Sequence, residues 1–325
     1  MNIKILFMLI LLQPVRESIS KLNVLPNVSM NITKFVSNGK DYDTKKFPYL
    51  VFISFQDLKV NKSGACTGSL LSKYFILTAA HCTIEYEDRI SIIKVYYLQY
   101  DYLNSGQSYQ CEKAYTHPDY VTDKDSDLGL LKLKDPINKA HTFARIGGYP
   151  GDFIKGLSCT IIGFGLTGKK GIPEKMYRGQ MADVTVYYND DKHCFEGIPK
   201  KPFKNKKHLC VKIGKKGTCG GDSGGPMICN KCQYGVCSSD SLFDKDLINN
   251  KTLSCDSDKK QCKHIFVYMF KDWVKEITGI SEYCGNPQKK KGKKKKKKKN
   301  CGIIPNHELY YVVVFIVTVH NVFLK

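Results

Sequence analysis

The sequence predicts an all-β fold, either a sandwich or a barrel. Short runs rich in β-branched and aromatic residues recur along the chain, and Gly, Pro, Asn and Asp separate them. Many short strands at this spacing are typical of both architectures. The runs that predict strands are 49–55, 74–78, 90–97, 128–133, 159–164 and 182–188.

One segment near the end of this region has a different period. Apolar residues at positions 270, 273, 274 and 277 recur at helical spacing, so a helix is predicted over Phe270–Thr278. No internal repeat accompanies these elements. The expected domain is therefore β-rich and closes with one helix.

The two ends of the chain differ in composition from its middle. Lys4 precedes an apolar run, Ile5–Leu12, which is typical of a secretory signal peptide and assigns residues 1–20 to that role. Residues 21–35 are polar and are predicted to be a pro-segment. The folded domain is expected over 36–285, a lysine-rich tether over 286–300 and an apolar tail over 301–325.

Cysteine content indicates the compartment. The chain has 14 cysteines, and cytosolic thiols are kept reduced, so such a number predicts disulfides in a secreted, extracellular protein. Four Asn-x-Ser/Thr sequons predict a glycoprotein. They begin at Asn27, Asn31, Asn61 and Asn250.

The chain is strongly basic, with a formal net charge of +21. Ten of the positive charges belong to lysines within 289–299. Such a run favours a polyanion or an anionic membrane surface as a partner, and no specific nucleic acid is predicted.

The apolar tail has three interpretations. Asn300-Cys301-Gly302, a polar spacer and the run Leu309–Leu324 are similar to a signal for a glycolipid anchor. The run is short for a membrane span, which normally needs about 20 residues. The third interpretation is a tail without a membrane role.

Three motifs carry chemistry, in the order His, Asp, Ser. His81 lies beside Cys82 at the end of a predicted strand, Asp127 precedes a buried strand, and Ser223 lies in Gly-Asp-Ser-Gly-Gly-Pro. A serine hydroxyl needs a base to take its proton, and the base needs a carboxylate to orient it. Glycines around the serine free backbone N–H groups for an oxyanion, which we assign to Gly221 and Ser223.

Together these motifs resemble the trypsin/chymotrypsin family of secreted serine protease zymogens from about Val36 to Cys284. The turn His117–Tyr120 and Gly163-Phe164-Gly165 are similar to further segments of that family. The resemblance implies two six-stranded antiparallel β-barrels with the site in the cleft between them, followed by a C-terminal helix. It implies no metal and no cofactor.

The resemblance also implies four disulfides. They are Cys66–Cys82, Cys159–Cys229, Cys194–Cys210 and Cys219–Cys255. Six cysteines stay unassigned, although Cys232 and Cys237 flank an expected hairpin and could bridge. The other four are Cys111, Cys262, Cys284 and Cys301.

Activation in such a family follows a cut that frees an α-amino group to pair with the acid before the serine, here Asp222. Counting back from Pro48 makes Val36 the new N-terminus, after Phe35. A tryptic cut would instead follow Lys34 and expose Phe35. If no cut occurs, the protein stays inert.

The expected specificity pocket has a neutral floor, Gly217, beside Thr218. A floor without an acid favours apolar or aromatic side chains over Arg and Lys. Ser238, Asp240 and Cys262 fall on its walls, and a bond between Cys262 and Cys237 would make it shallow. Asp240 could alternatively attract a basic residue at its mouth.

The predicted function is therefore that of a serine endopeptidase acting on proteins or peptides, with protease inhibitors as further partners. The alternative is a weak or inactive homologue that acts as a secreted binding or regulatory protein. The altered activation site and the extra cysteines motivate this alternative, and the intact triad argues against it.

Overall fold

The structure is a computed structural model, and it describes a β-rich region at the centre of the chain. The described residues are 36–57, 61–97, 107–121, 124–153, 155–165, 179–190, 192–194, 206–242 and 260–284. The segments predicted as a signal peptide, a pro-segment, a lysine-rich tether and an apolar tail all lie outside them. Within the described part, no helix is long and apolar enough to cross a membrane.

Six strands form the first closed antiparallel barrel. Their order around the barrel is β2-β3-β4-β7-β6-β5. Their bounds are Leu50–Asp57 (β2), Lys62–Leu70 (β3), Phe75–Thr78 (β4), Ile93–Tyr97 (β5), Ser108–Thr116 (β6) and Gly129–Leu133 (β7).

Six more strands form the second barrel, in the order β9-β10-β13-β12-β11-β8, and β8 pairs with β9 to close it. A two-residue strand, β1 (Lys40–Asp41), adds to β9 at its edge. The bounds are Leu157–Gly163 (β8), Gln180–Tyr188 (β9), His208–Val211 (β10), Pro226–Cys229 (β11), Cys232–Leu242 (β12) and Lys260–Phe266 (β13). The prediction of two six-stranded barrels is confirmed.

Each barrel has an apolar interior. Phe52, Ile76 and Leu130 are at most 1% exposed in the first barrel. Phe266 and Tyr234 are equally buried in the second. Burying one such side chain contributes roughly 1.5–3 kcal/mol, so the alternation of apolar residues along the strands accounts for both cores.

The C-terminal helix α1 spans Lys271–Thr278 and follows a 3₁₀ turn over Val267–Phe270. Val274 is buried, while Trp273 and Ile277 pack against the first barrel's core cluster. The helix ends at Gly279, whose φ of 72° is left-handed and whose N–H donates to the carbonyl of Lys275. The predicted helix is confirmed, beginning one residue later than its pattern suggested.

The strand pattern was incomplete in one respect and wrong in another. Six strands lack a β-branched run and were not predicted: β3, β6, β10, β11, β12 and β13. Residues 90–92 were predicted as strand, yet they end a 3₁₀ segment over Ile84–Ile92. Arg89 in that segment pairs with the buried Asp57 at the end of β2, and this ion pair links the 3₁₀ segment to β2.

Four disulfides join described residues. Three have the pairing implied by the family resemblance: Cys66–Cys82, Cys159–Cys229 and Cys194–Cys210. Cys219 is also disulfide-bonded, and its expected partner Cys255 lies outside the described residues.

The fourth disulfide corrects an expectation, because Cys232 bonds to Cys284 and not to Cys237. Cys232 and Cys237 lie on the same strand, β12. Five residues of strand span about 16 Å, whereas a disulfide needs Cα atoms within about 7 Å. Cys237, Cys262 and Cys111 are buried thiols.

Candidate active site

His81 lies in a 3₁₀ turn, Ala80–Cys82, that follows β4 at the cleft between the barrels. The Cys66–Cys82 disulfide ties this turn to β3. Nδ1 of His81 is 2.7 Å from Oδ2 of Asp127, and the backbone N–H of His81 donates to Oδ1 at 2.9 Å. The carboxylate therefore fixes both the backbone and the ring of this histidine.

Asp127 is 3% exposed and lies two residues before the start of β7. A second donor reaches it from the other barrel, because Ser238 donates from Oγ to Oδ2 at 2.7 Å. Burial alone would raise the pKa of Asp127, but hydrogen bonds and attraction from His81, with the bond from Ser238, hold that pKa below its ordinary value. The carboxylate is therefore ionised at neutral pH.

Ser223 lies in the tight loop between Gly221 and Gly225. The carbonyl of Ser223 accepts from the N–H of Thr67 at 2.8 Å, which attaches the loop to the first barrel. Gly221 and Gly224 have φ values of +94° and +81°, and a Cβ on Gly224 would lie 2.1 Å from Oγ1 of Thr78. This path requires glycine at both positions.

The backbone amides of Gly221 and Ser223 donate to no acceptor within the described part of the chain. The carbonyl of Gly221, in contrast, accepts from Oγ1 of Thr67 at 2.9 Å, and Oγ1 of Thr67 itself accepts from the N–H of Phe164 at 2.9 Å. Thr67 therefore holds the loop in one orientation. Thr67 is not among the residues predicted from the sequence, although its place beside Cys66 was the available signal.

Asp222 is fully buried beneath this loop. Its carboxylate accepts from the N–H groups of Gly165 and Cys219, each at 2.9 Å. Val36 is 3% exposed, and Ser37 donates from its backbone to the carbonyl of Gly217 at 2.8 Å. The segment that begins at Val36 thus packs against the residues that precede Ser223, beginning with Gly217.

The expected pocket residues lie around the same segment. The N–H of Thr218 contacts Sγ of Cys262 at 3.1 Å, so the cysteine packs directly on the chain beside Gly217. Asp240 pairs through its backbone with Cys262 across β12 and β13. Ser238 was expected on the pocket wall, but its hydroxyl is directed to Asp127.

One buried group in this region was not predicted. His264 on β13 is fully buried, and neither ring nitrogen has a hydrogen-bond partner in the described residues. Its position two residues after Cys262 was the signal in the sequence. By contrast, the cluster of Cys66, His81 and Cys82 is unsuited to a metal, because both sulfur atoms are consumed by a disulfide.

Comparison with known proteins identifies related chains. The family described as Trypsin matches residues 36–274. Granzyme M of Rattus norvegicus is 25% identical over 250 residues, which cover 75% of this chain and 89% of the granzyme. Trypsin of Phaedon cochleariae is 26% identical over 261 residues, which cover 78% of this chain and 93% of that trypsin.

Among solved structures, that of HL collagenase covers 76% of this chain and 100% of its own, with a TM-score of 0.58 and 21% sequence identity. This likeness concerns the two-barrel fold.

Proposed function

The chain belongs to the trypsin family and is a serine endopeptidase, and we propose that Ser223, His81 and Asp127 form its catalytic triad. The observation that carries this proposal is the double contact between His81 and Asp127, at 2.7 and 2.9 Å. A buried carboxylate that holds both the ring and the backbone of a histidine is suited to orient a general base.

The proposed mechanism assigns a role to each of these residues. Oγ of Ser223 attacks the substrate carbonyl carbon while His81 takes the hydroxyl proton, and Asp127 stabilises the resulting imidazolium. The N–H groups of Gly221 and Ser223 stabilise the tetrahedral oxyanion. His81 then protonates the leaving amine, an acyl-enzyme forms, and water hydrolyses it with His81 acting again as the base.

Fluorophosphonate labelling tests the triad. The activated protein is expected to be labelled at Ser223, and Ser223→Ala is expected to abolish labelling while leaving the fold intact. Ser239→Ala is the matched control because Ser239 is exposed on β12. Absence of labelling in folded, correctly processed protein would favour the alternative, a homologue that binds partners without hydrolysing them.

We further propose that the bond cleaved follows an apolar or aromatic residue, not Arg or Lys. Gly217 provides no acid to pair with a basic side chain. Thr218 and Cys262 beside it are buried and supply no carboxylate either. A library of peptide substrates differing only in the residue before the bond would test this, and cleavage confined to Lys or Arg would contradict it.

Activation is proposed to follow a cut after Phe35, so that the new amino group of Val36 pairs with Asp222. The burial of both residues supports this pairing, as does the packing of Ser37 against Gly217. N-terminal sequencing of the active protein is expected to begin at Val36. A sequence beginning at Phe35 would contradict the proposed site.

The remaining assignments concern residues outside those described and stay predictions. They are the signal peptide (1–20), the pro-segment (21–35), secretion, and tail binding to a polyanion or an anionic membrane. Salt-dependent retention on heparin that disappears on truncation after Cys284 would support a role for the lysines.

A further inference from the structure

His264 is the buried polar group that the triad does not use. It lies in the middle of β13, is 0% exposed, and has no hydrogen-bond partner at Nδ1 or Nε2 within the described residues. Buried polar side chains are normally hydrogen-bonded, and leaving one unsatisfied costs stability. An imidazole kept in this state therefore calls for a functional explanation.

The strand register determines the direction of this side chain. His264 lies opposite Leu209 of β10 and Cys237 of β12. Because side chains on one face of a strand recur every second residue, His264 shares its face with Cys262. Sγ of Cys262 contacts the N–H of Thr218, so this face is directed toward the chain at Gly217–Cys219.

A second connection leads from His264 to the loop of the nucleophile. Cys237 is joined through its backbone to Gly224 and Gly225, the two residues that follow Ser223, at 2.8 and 2.9 Å. Cys237 pairs with His264 across β12 and β13, so these backbone bonds connect the strand position of His264 with the loop that holds Ser223. Through Cys262 and Cys237, His264 is thus linked both to the segment of the expected pocket floor and to the loop of the nucleophile.

The imidazole is neutral there. Burial lowers the pKa of His264 to about 3, so at neutral pH the ring has one N–H donor and one nitrogen acceptor. Leu209 pairs with His264 across β10 and β13. A Cβ added to Gly235 would lie 3.1 Å from the Cβ of His264 and 3.2 Å from that of Met227, so apolar residues surround this part of the strand.

We infer that His264 is a specificity-determining residue, and that it selects substrate side chains that are uncharged and carry a hydrogen-bonding group at their tip. The phenol of tyrosine and the carboxamide of glutamine have this chemistry. The inference rests on the proposed proteolytic function and sharpens the expected apolar or aromatic preference: among residues of similar shape, the one with a polar tip is cleaved faster.

Charged side chains suit this position less well. A neutral imidazole cannot neutralise a buried carboxylate, and Gly217 cannot neutralise a buried ammonium or guanidinium. Burying an unpaired charge costs far more than burying a hydrogen-bonded neutral group. Preference for Glu or Lys is therefore an outcome that would overturn the inference.

Paired substrates give the direct test. Activated full-length enzyme is assayed on peptides that differ only as Tyr or Phe, and as Gln or Met, before the cleaved bond. The ratio of kcat/KM within each pair is expected to be about tenfold or more in favour of the polar member. His264→Phe is expected to reduce each ratio to near one, and His264→Gln to retain part of it.

The chain offers a matched control in His208→Phe. His208 lies on the neighbouring strand β10, and its Nε2 is 3.5 Å from Asp125. This variant is expected to leave both ratios unchanged. Equal ratios in the wild type, or ratios that His264→Phe leaves unaltered, would overturn the inference while hydrolysis itself would still support the proteolytic function.

A binding measurement covers the case without turnover. Nitrogen-15 NMR of His264 is recorded with a peptide aldehyde ending in Tyr and with one ending in Phe. The ring nitrogens are expected to shift with the tyrosine peptide only. Failure of fluorophosphonate labelling would contradict the proteolytic function, whereas identical spectra with both peptides would contradict the role of His264.

Discussion

Ser238 on the second barrel donates a hydrogen bond from its hydroxyl to Oδ2 of Asp127 on the first barrel, with 2.7 Å between the two oxygens. The same carboxylate oxygen contacts Nδ1 of His81 at 2.7 Å. The orientation of the proposed base therefore depends on both barrels and on how closely they pack.

Ser238→Ala should weaken catalysis without unfolding the protein. A hydrogen bond to a charged group contributes about 1.5–3 kcal/mol, so we expect kcat to fall by about tenfold or more. The pKa of Asp127 should rise, because one of the bonds that lower it is lost. Steady-state kinetics measures the first effect, and an equal loss in Ser239→Ala would contradict this account.

Thr67→Val should lower the stability of the folded protein. The hydroxyl of Thr67 donates to Gly221 and accepts from Phe164, and valine keeps the shape but leaves both groups unsatisfied. Each such loss costs about 1–3 kcal/mol, so the free energy of unfolding should fall by about 2 kcal/mol or more. Urea unfolding measures this effect.

The control for that change is Thr160→Val on the surface of the second barrel. Thr160 donates to Asp183 in an exposed pair, and its replacement should change the unfolding free energy by less than about 0.5 kcal/mol. Similar losses in both variants would show that Thr67 has no special place in the loop.

Asp222→Asn should prevent activation while the triad stays intact. Removing one partner of a buried charge pair costs about 3–5 kcal/mol, so the amino group of Val36 should no longer order the loop around Ser223. We expect a folded protein whose fluorophosphonate labelling is lost. Labelling at the wild-type rate would show that the proposed ion pair is unnecessary.

Stability should depend on pH through His264. Its folded pKa is about 3 and its ordinary value is 6.5, so between these values the unfolded chain binds a proton that the folded chain does not. The free energy of unfolding is therefore unaffected by this group above about pH 6.5, and it falls progressively as the pH drops below that value because protons bind the unfolded chain. Between pH 7 and 5 the loss should be about 2 kcal/mol.

Urea unfolding at the two pH values, on wild type and on His264→Phe, isolates this contribution. The variant cannot bind the proton in either state, so its unfolding free energy should fall by about 2 kcal/mol less than that of the wild type. If the unfolding free energy fell equally in the two proteins, groups other than His264 would be responsible for the pH dependence.

The sequence predicted the fold class because strands such as β2 and β7 have dense β-branched and aliphatic runs. It did not predict β3 or β12, whose Gly, Ser and Cys residues have weak strand propensity. Those strands form because the barrels close around them, and such pairing between distant segments leaves little local signal. The family resemblance, not the periodicity, implied the number of strands.

The candidate site shows the same division. His81, Asp127 and Ser223 belong to local motifs, so they could be selected from the sequence. Thr67 and His264 could not, because the role of each depends on which distant groups surround it. The hydroxyl of Thr67 forms hydrogen bonds with residues of the second barrel. His264 stands out because its ring nitrogens have no hydrogen-bond partner among the described residues.

The Cys232–Cys284 disulfide has a mechanical consequence. It closes a loop of 52 residues that includes β12, β13 and α1. A pulling force applied to the chain beyond Cys284 would pass through this covalent bond directly into β12. The helix would therefore carry little of the load, and the segment between Cys232 and Cys284 could not be extended until the disulfide was reduced.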